Sequence, residues 1–249
     1  MQLTKEIAMK VTTLLTILTA APAICFAGVP DAYETSIPVD HIYSPAGFNN
    51  NDNAEVVITG ILPDLCHKAP KSSVSVKDGK INVSVKAMRK NNGLAFCTLV
   101  RLPYTEVVKI GVLDKGKYDI AVNEKTNFEF SGKLAISESQ SNSIGDTIYA
   151  NVDQIERVNN DRRTVLLKGL SPSDCFELKE IEVRDNGIDT YSILPKLRKI
   201  REYCPKNLIP FSYEFEVPEK LDADKVLLHV RVMDGRSVNA FFNNRPLLD

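Results

Sequence analysis

Apolar and polar residues alternate along short stretches of the chain. The alternation runs through residues 74–85 on both sides of Asp78-Gly79, and it recurs through residues 181–188 around Asn186-Gly187. A period of two is typical of strands with one buried face, and Asp-Gly or Asn-Gly between two such runs is typical of a tight turn. The pattern therefore predicts a β-hairpin at each place.

The two hairpins belong to an internal repeat. Each follows a segment in which Gly, Pro and Cys keep one spacing: Gly60, Pro63 and Cys66 in the first copy, Gly169, Pro172 and Cys175 in the second. A second cysteine and then a proline follow in each copy at matching places: Cys97 and Pro103, Cys204 and Pro210. So many ordered landmarks indicate two copies of one module.

Many short alternating segments separated by turn residues predict an all-β protein. We interpret the chain as two tandem immunoglobulin-like or fibronectin-like β-sandwich modules with antiparallel strands. The expected boundaries are residues 28–132 for the first module and 147–249 for the second. Residues 133–146 are rich in Ser, Asn and Gly and are expected to form the linker.

The first 27 residues have the features of a secretory signal peptide. Lys5 and Lys10 precede the apolar run at residues 11–20, and small residues follow. Cleavage is expected after Ala27, with Ala23 as the alternative. No later apolar stretch is long enough to span a bilayer, so we expect no transmembrane segment after cleavage.

Composition and charge exclude few functions. Hydrophobic residues make up 43% of the chain, which is enough for a core in each module. The formal net charge is −1, so no overall field attracts nucleic acid, and no nucleic-acid partner is expected.

Cleavage after Ala27 removes Cys25 and leaves four cysteines, two per copy, whereas cleavage after Ala23 would keep Cys25. In an exported protein the four cysteines of the repeat predict two disulfides. Of the three possible pairings, the repeat favours Cys66–Cys97 and Cys175–Cys204. Metal binding needs closely spaced Cys or His pairs, and a redox site needs Cys-x-x-Cys. Because neither pattern occurs, the cysteines are expected to be structural.

Candidates for catalysis and for metal binding are weak. His41, His67 and His229 fall on three different predicted segments, and no Gly-x-Ser-x-Gly motif marks a nucleophilic serine. The polar run at residues 49–53 has the oxygen ligands that calcium prefers, but turn formation explains it as well. We therefore expect no catalytic, cofactor-binding or metal-binding residues.

One cluster of basic residues stands out in the second copy. Leu197, Ile200 and Tyr203 recur at intervals of three, which suggests a short amphipathic helix after Pro195. Its charged face is a candidate site for an anionic partner, and a plain solvated face is the alternative. The candidate anion-binding residues are Lys196, Arg198, Lys199 and Arg201.

The first copy also resembles a known group of proteins. The pattern Gly-x-Leu-Pro-x-x-Cys at residues 60–66, with Gly116-Lys-Tyr118 later, is similar to modules of uncharacterised exported bacterial proteins. The resemblance implies export, a bacterial origin and a disulfide-bonded β-module, and it implies no activity.

These observations predict an exported binding or structural protein of the bacterial cell envelope, periplasmic or at the cell surface, without catalytic activity. Its partner would be an unidentified protein or glycan. One alternative is a periplasmic inhibitor or assembly chaperone that offers an exposed sheet edge to a partner strand. The other is an exported enzyme of unknown class.

Overall fold

The computed structural model describes residues 31–90, 96–139, 147–158 and 163–243. The predicted signal peptide and its cleavage sites lie outside these ranges. The described residues contain sixteen strands, and their one helical segment is the 3₁₀ turn Met233–Gly235. No helix among them has the length and hydropathy needed to cross a membrane.

The first module contains nine strands. They are β1 (Ala32–Ser36), β2 (His41–Tyr43), β3 (Phe48–Asn49), β4 (Ala54–Leu62), β5 (His67–Lys77), β6 (Lys80–Lys90), β7 (Leu102–Gly111), β8 (Gly116–Val122) and β9 (Phe130–Ser137). The order β2-β4-β7 makes a three-stranded sheet. The facing sheet contains β5-β6-β8-β9, with β1 beside β6 and β3 beside β9.

The second module repeats this plan with seven strands. They are β10 (Val152–Arg157), β11 (Thr164–Ser171), β12 (Phe176–Asp185), β13 (Thr190–Lys199), β14 (Ile209–Glu216), β15 (Lys225–Val232) and β16 (Arg236–Asn243). The order β10-β11-β14 matches β2-β4-β7, and β12-β13-β15-β16 matches β5-β6-β8-β9. The prediction of an all-β fold made of tandem β-sandwich modules is confirmed.

Both predicted hairpins form. Strands β5 and β6 pair antiparallel up to Lys77 and Lys80, so that Asp78 and Gly79 make a two-residue turn, with φ of 50° and 75°. Positive φ at both central positions is the requirement that Asp-Gly and Asn-Gly meet most easily. Strands β12 and β13 form the corresponding hairpin in the second module, but the predicted tight turn at Asn186-Gly187 is wrong. Asp185 pairs with Tyr191, so residues 186–190 make a longer connection between the paired positions.

The antiparallel arrangement predicted from the sequence is wrong for one strand pair that the modules share and for one further pair in the first module. Strand β6 runs parallel to β8, and β13 runs parallel to β15. The short strand β3 also runs parallel to β9. For the shared pair the reason is the path of the chain: β7 and β14 cross to the three-stranded sheet before the chain returns beside its earlier strand. The alternation at residues 118–122 and 226–230 predicts the last strand of each copy, but these strands are β8 and β15, and β9 and β16 follow them.

Three local predictions need correction. Strand β9 extends through Ser137, so the first five residues of the expected linker lie in the sheet. Residues 190–199 form strand β13, where a helix was expected to begin after Pro195. The sequence also matches Ile148 and Tyr149 with Ile42 and Tyr43 as the entry strands of the two copies. Ile42 and Tyr43 lie in β2 of the three-stranded sheet, whereas the backbone around Ile148 and Tyr149 pairs with β13 of the four-stranded sheet.

The repeated glycines occupy positions where two chain segments touch. Gly60 lies opposite Tyr104 in the ladder between β4 and β7, and Gly169 lies opposite Phe211 between β11 and β14. A Cβ atom at Gly60 would overlap the carbonyl oxygen of Pro38 and the Tyr104 ring. Gly169 has the same relation to Asn151 and Phe211, so the repeat keeps glycine because only a hydrogen atom fits.

Each module has its own apolar core between its two sheets. In the first module the core includes Ile58, Ile81 and Ile120, and in the second it includes Leu167 and Ile193. All five side chains are fully buried. The described residues nevertheless cluster as one compact unit, because the two modules also pack against each other.

Candidate ligand cavity between the modules

The outer face of the three-stranded sheet of the first module packs on the four-stranded sheet of the second. Val57 of β4 and Leu227 of β15 are both fully buried in a third apolar cluster. Tyr43 joins this cluster and packs against Phe241, with ring centroids 5.3 Å apart. Strands β4 and β15 are therefore buried on both faces.

Alternate residues of β15 serve the two contacts. Leu228 and Val230 point into the core of the second module, while Leu227, His229 and Arg231 point towards the first. The sequence predicts that His229 faces away from Leu228 and Val230, and the structure agrees. The opposite face is buried, however, and His229 is only 1% exposed.

Hydrogen bonds and ion pairs join the modules around this apolar contact. At one side, His41 Nε2 lies 2.5 Å from Asp189 Oδ2, and Asn186 Nδ2 donates to the carbonyl oxygen of Ser44 at 3.2 Å. Burial alone would raise the pKa of Asp189, but the hydrogen bond from His41 and those within its own loop hold this pKa below the usual range. These contacts fix the tip of the second hairpin against the first module.

Arg231 makes the central polar contact at the other side. Its Nη1 donates to Asp52 Oδ2 at 3.0 Å, and its Nη2 donates to the carbonyl oxygen of Ala46 at 3.3 Å. The guanidinium lies 4.0 Å from the centre of the Phe48 ring, within reach of a cation–π interaction. Arg231 Nε is buried and has no hydrogen-bond partner in the structure.

Asp52 belongs to the polar turn for which the sequence allowed calcium binding. The backbone N–H of Asn49 donates to Asp52 Oδ2 at 2.8 Å, and the N–H of Asp52 donates to the carbonyl oxygen of Asn49 at 2.9 Å. The carboxylate therefore closes its own turn and pairs with Arg231. These contacts support the turn as the explanation of this segment.

Glu55 is the second carboxylate of the interface and is almost completely buried. Ser237 of the second module donates its hydroxyl to Glu55 Oε1. Burial raises the pKa of Glu55, and the hydrogen bond from Ser237 and the charges of Lys109 and Arg231 act against this rise. His229 Nδ1 lies 3.6 Å from Glu55 Oε1.

His229 is held in a neutral form. Its Nδ1–H donates to Asn239 Oδ1 at 2.9 Å, and burial lowers the pKa of His229 to about 4. The nearby positive charge of Arg231 lowers this pKa further. Above pH of about 4 the imidazole therefore does not neutralise Glu55.

These side chains line a cavity of about 470 Å³ between the modules. The first module contributes Phe48, Asn51, Asp52, Asn53 and Glu55. The second module and the segment before it contribute the remaining wall, which is Thr147, Ile148, Tyr149, Phe176, His229 and the residues from Arg231 to Ser237. Buried charged groups thus meet apolar and aromatic walls in one space, which is typical of a small-molecule site.

A serine, a histidine and a carboxylate meet here, but their hydrogen bonds differ from those of a hydrolase. A nucleophilic serine is hydrogen-bonded to a histidine that accepts its proton. Ser237 instead donates to Glu55 and accepts from Asn239 Nδ2 at 3.3 Å. The arrangement suits the binding of a ligand better than the activation of a nucleophile.

Both predicted disulfides are present. Cys66 is bonded to Cys97, and Cys175 is bonded to Cys204. Two disulfides are typical of a protein from an oxidising compartment outside the cytosol. Asp64 lies beside Cys66 and Cys97 as a possible set of metal ligands, but sulfurs joined in a disulfide are not thiolates and do not bind metal in this way.

The candidate anion-binding residues lie on β13 and the segment that follows it. Lys196 pairs with Glu180 at 3.0 Å and with Glu182, Arg198 pairs with Glu177, and Arg201 pairs with Asp174 at 2.7 Å. Lys199 is exposed at the end of the strand. Most of the positive charge is thus balanced by carboxylates of the second module, which weakens the case for an anionic partner.

His67 and two exposed apolar side chains lie away from the cavity. His67 contacts Asp64 near the first disulfide, with 2.7 Å between Nδ1 and Oδ1. Phe96 and Leu99 flank Cys97 and are 99% and 86% exposed. Nothing in the structure shows what covers these two side chains.

Sequence reasoning missed Glu55, Arg231 and Ser237. No local pattern marks them, because the burial of all seven residues of the run Val226–Val232 is seen only in the structure. A strand of this kind has no solvent face, so its His and Arg must contact another part of the protein.

Comparison with known proteins adds one finding. Residues 56–132, within the first module, match the family model described as the ORF11 beta-sandwich domain. No significant match was found among curated protein sequences or among solved structures.

Proposed function

We propose that this protein is an exported, non-catalytic binding protein of the bacterial cell envelope, and that it holds a small ligand in the cavity between its modules. The observation that carries the proposal is the cavity of about 470 Å³ with Glu55, His229 and Arg231 buried in its wall. Small-molecule sites span roughly 300–1,000 Å³ and combine apolar walls with a few placed polar groups.

The packing of the modules supports this proposal. Contacts on both sides of Val57 and Leu227 hold the two halves of the cavity wall in place without a ligand. A site formed in advance loses little conformational entropy when it binds. The disulfides and the resemblance of the first module support export and a cell-envelope location.

The chaperone alternative is less well supported. Strands β5 and β12 are at the edges of the two larger sheets. Their exposed positions include Lys71 and Lys77 on β5 and Lys179 and Glu180 on β12. Charged residues on an edge strand oppose pairing with a further strand.

The test is to isolate the oxidised protein from the envelope of its own source and to identify retained compounds by native mass spectrometry. A variant that fills the cavity, Met233→Trp, is compared with Met88→Trp, which adds the same side chain on β6 away from it. We expect a small molecule with the unaltered protein and with Met88→Trp, and its loss from Met233→Trp. Equal retention by both variants, or no retained compound in any preparation, would contradict the proposal.

A further inference from the structure

The charges around the cavity leave one buried carboxylate without a cation beside it. Asp52 is paired with Arg231, with 3.0 Å between Oδ2 and Nη1. At the exposed rim, Asp234 and Arg236 carry opposite charges. Glu55 remains: the charges of Lys109 and Arg231 act on it, but neither forms an ion pair with it. Within the described part of the chain its neighbour at ion-pair distance is His229.

His229 does not supply the missing charge. Its imidazole is fully buried and donates to Asn239, and an imidazolium there would meet the positive charge of Arg231. A buried carboxylate without a cation is costly, and a positive group on a ligand would remove this cost.

Arg231 has one hydrogen-bond donor without an acceptor. Its Nε–H is buried without a hydrogen-bond acceptor, although both Nη atoms are bonded. A ligand oxygen that accepts a hydrogen bond from this N–H would supply the missing acceptor. Phe48 and Phe176 supply apolar walls to the same cavity.

We infer, building on the proposed function, that the ligand is a small organic ammonium compound that carries a hydroxyl or carbonyl oxygen and an apolar body. The ammonium group donates to Glu55, and the oxygen accepts from Arg231. The apolar body contacts the aromatic walls. Amino alcohols and amino sugars have this chemistry.

The test uses three probes of one shape: phenylalaninol, hydrocinnamyl alcohol and hydrocinnamate, which carry an ammonium group, no charge and a carboxylate. Their binding to the isotope-labelled protein is followed by changes in the NMR signals of residues that line the cavity. We expect phenylalaninol to bind at least about tenfold more tightly than the alcohol, because a charge-assisted hydrogen bond exceeds a neutral one by about 1.4 kcal/mol.

The variant Glu55→Gln keeps the shape of the side chain and removes its charge, so it is expected to abolish the preference for the amine. The matched control is Glu214→Gln on the exposed face of β14, which is expected to leave the preference unchanged. If Glu55→Gln does not fold, the comparison of the three probes on the unaltered protein decides the question.

The outcomes separate this inference from the proposed function. Binding of the alcohol or the carboxylate in the cavity as tightly as the amine would overturn the ligand class and leave the proposed function intact. A retained envelope compound without an amine would do the same. If no probe and no envelope compound binds in the cavity, both are overturned.

Discussion

Arg231 on a strand of the second module donates to Asp52 in a turn of the first, with 3.0 Å between Nη1 and Oδ2. The side chain of Arg231 is 7% exposed and that of Asp52 is 20% exposed. Because most of the pair is removed from water, loss of one partner leaves a poorly solvated charge. The contact therefore contributes both to the wall of the cavity and to the packing of the modules.

The variant Arg231→Met removes this cation and keeps an apolar stem beside Phe48. We expect the free energy of unfolding to fall by about 3 kcal/mol, because Asp52 loses its buried partner. Urea denaturation of the oxidised protein measures the change. The control is Arg198→Met, which breaks an exposed pair with Glu177 and should cost less than about 1 kcal/mol. Equal losses in the two variants would contradict the assigned role of Arg231.

The repeated glycines allow a second prediction. A methyl group at Gly60 overlaps Pro38 and Tyr104, so Gly60→Ala should destabilise the protein by about 2 kcal/mol. In Gly116→Ala the nearest atom to the new methyl group is a ring carbon of Tyr118 at 3.7 Å, which is ordinary contact. That variant should change the free energy of unfolding by less than about 1 kcal/mol. Thermal or urea unfolding that shows no difference between the two would count against the close approach at Gly60.

The disulfides allow a third prediction. Cys66 and Cys97 are 31 residues apart, and Cys175 and Cys204 are 29 apart. Loops of this size predict a similar loss for each, about 3–4 kcal/mol, when either cysteine pair is replaced by alanine. Urea denaturation of the two double variants measures this loss. The intact mass of the unaltered protein should rise by about four hydrogens on reduction, and free thiols at these four cysteines in the native protein would contradict the bridges.

Burial of His229 predicts a specific pH dependence. Its pKa is about 4 in the folded protein and about 6.5 when unfolded, so the unfolded chain binds more protons between these values. The free energy of unfolding should therefore fall by up to about 3 kcal/mol as the pH decreases from 6.5 to 4. The raised pKa of Glu55 has the opposite sign, since its protonation favours the folded state.

Urea denaturation across this pH range measures the dependence, and His229→Gln isolates the histidine because Glu55, Arg231 and Asn239 still surround the position. The variant should lose most of the decrease in stability towards acid pH. An unchanged pH dependence in His229→Gln would show that another group is responsible.

The local structure of each module could be predicted from the sequence. The alternation around Asp78-Gly79 and Asn186-Gly187 identified the hairpins, and the spacing of the cysteines identified the disulfides. These features depend on residues close together in the chain or repeated between copies. Their physical signals are therefore contained in short segments.

The prediction of antiparallel pairing and the prediction of a helix failed for different reasons. The pairing of β6 with β8 depends on which sheet β7 joins, and no residue of these strands encodes that choice locally. At residues 190–199, Tyr191, Ile193 and Leu197 are buried on a strand. The helix prediction relied on Leu197, Ile200 and Tyr203, and the side chains of Ile200 and Tyr203 are exposed.

The cavity could not be predicted because it depends on the packing of one module against the other. His229 and Arg231 alternate with apolar residues, as they would on a solvent-exposed face. Their burial is possible because His229 is hydrogen-bonded to Asn239 and Arg231 to Asp52. Asp52 is 179 positions away from Arg231 in the chain. Long-range compensation of this kind leaves no local pattern.

The decisive experiment for the ligand cavity is a crystal structure of the oxidised protein, grown with phenylalaninol or with the compound recovered from the envelope. We expect electron density for a small molecule between Phe48 and Ser237, with its amine within hydrogen-bond distance of Glu55. Density for these compounds only outside the cavity, or a cavity that holds water alone in every such crystal, would contradict this expectation.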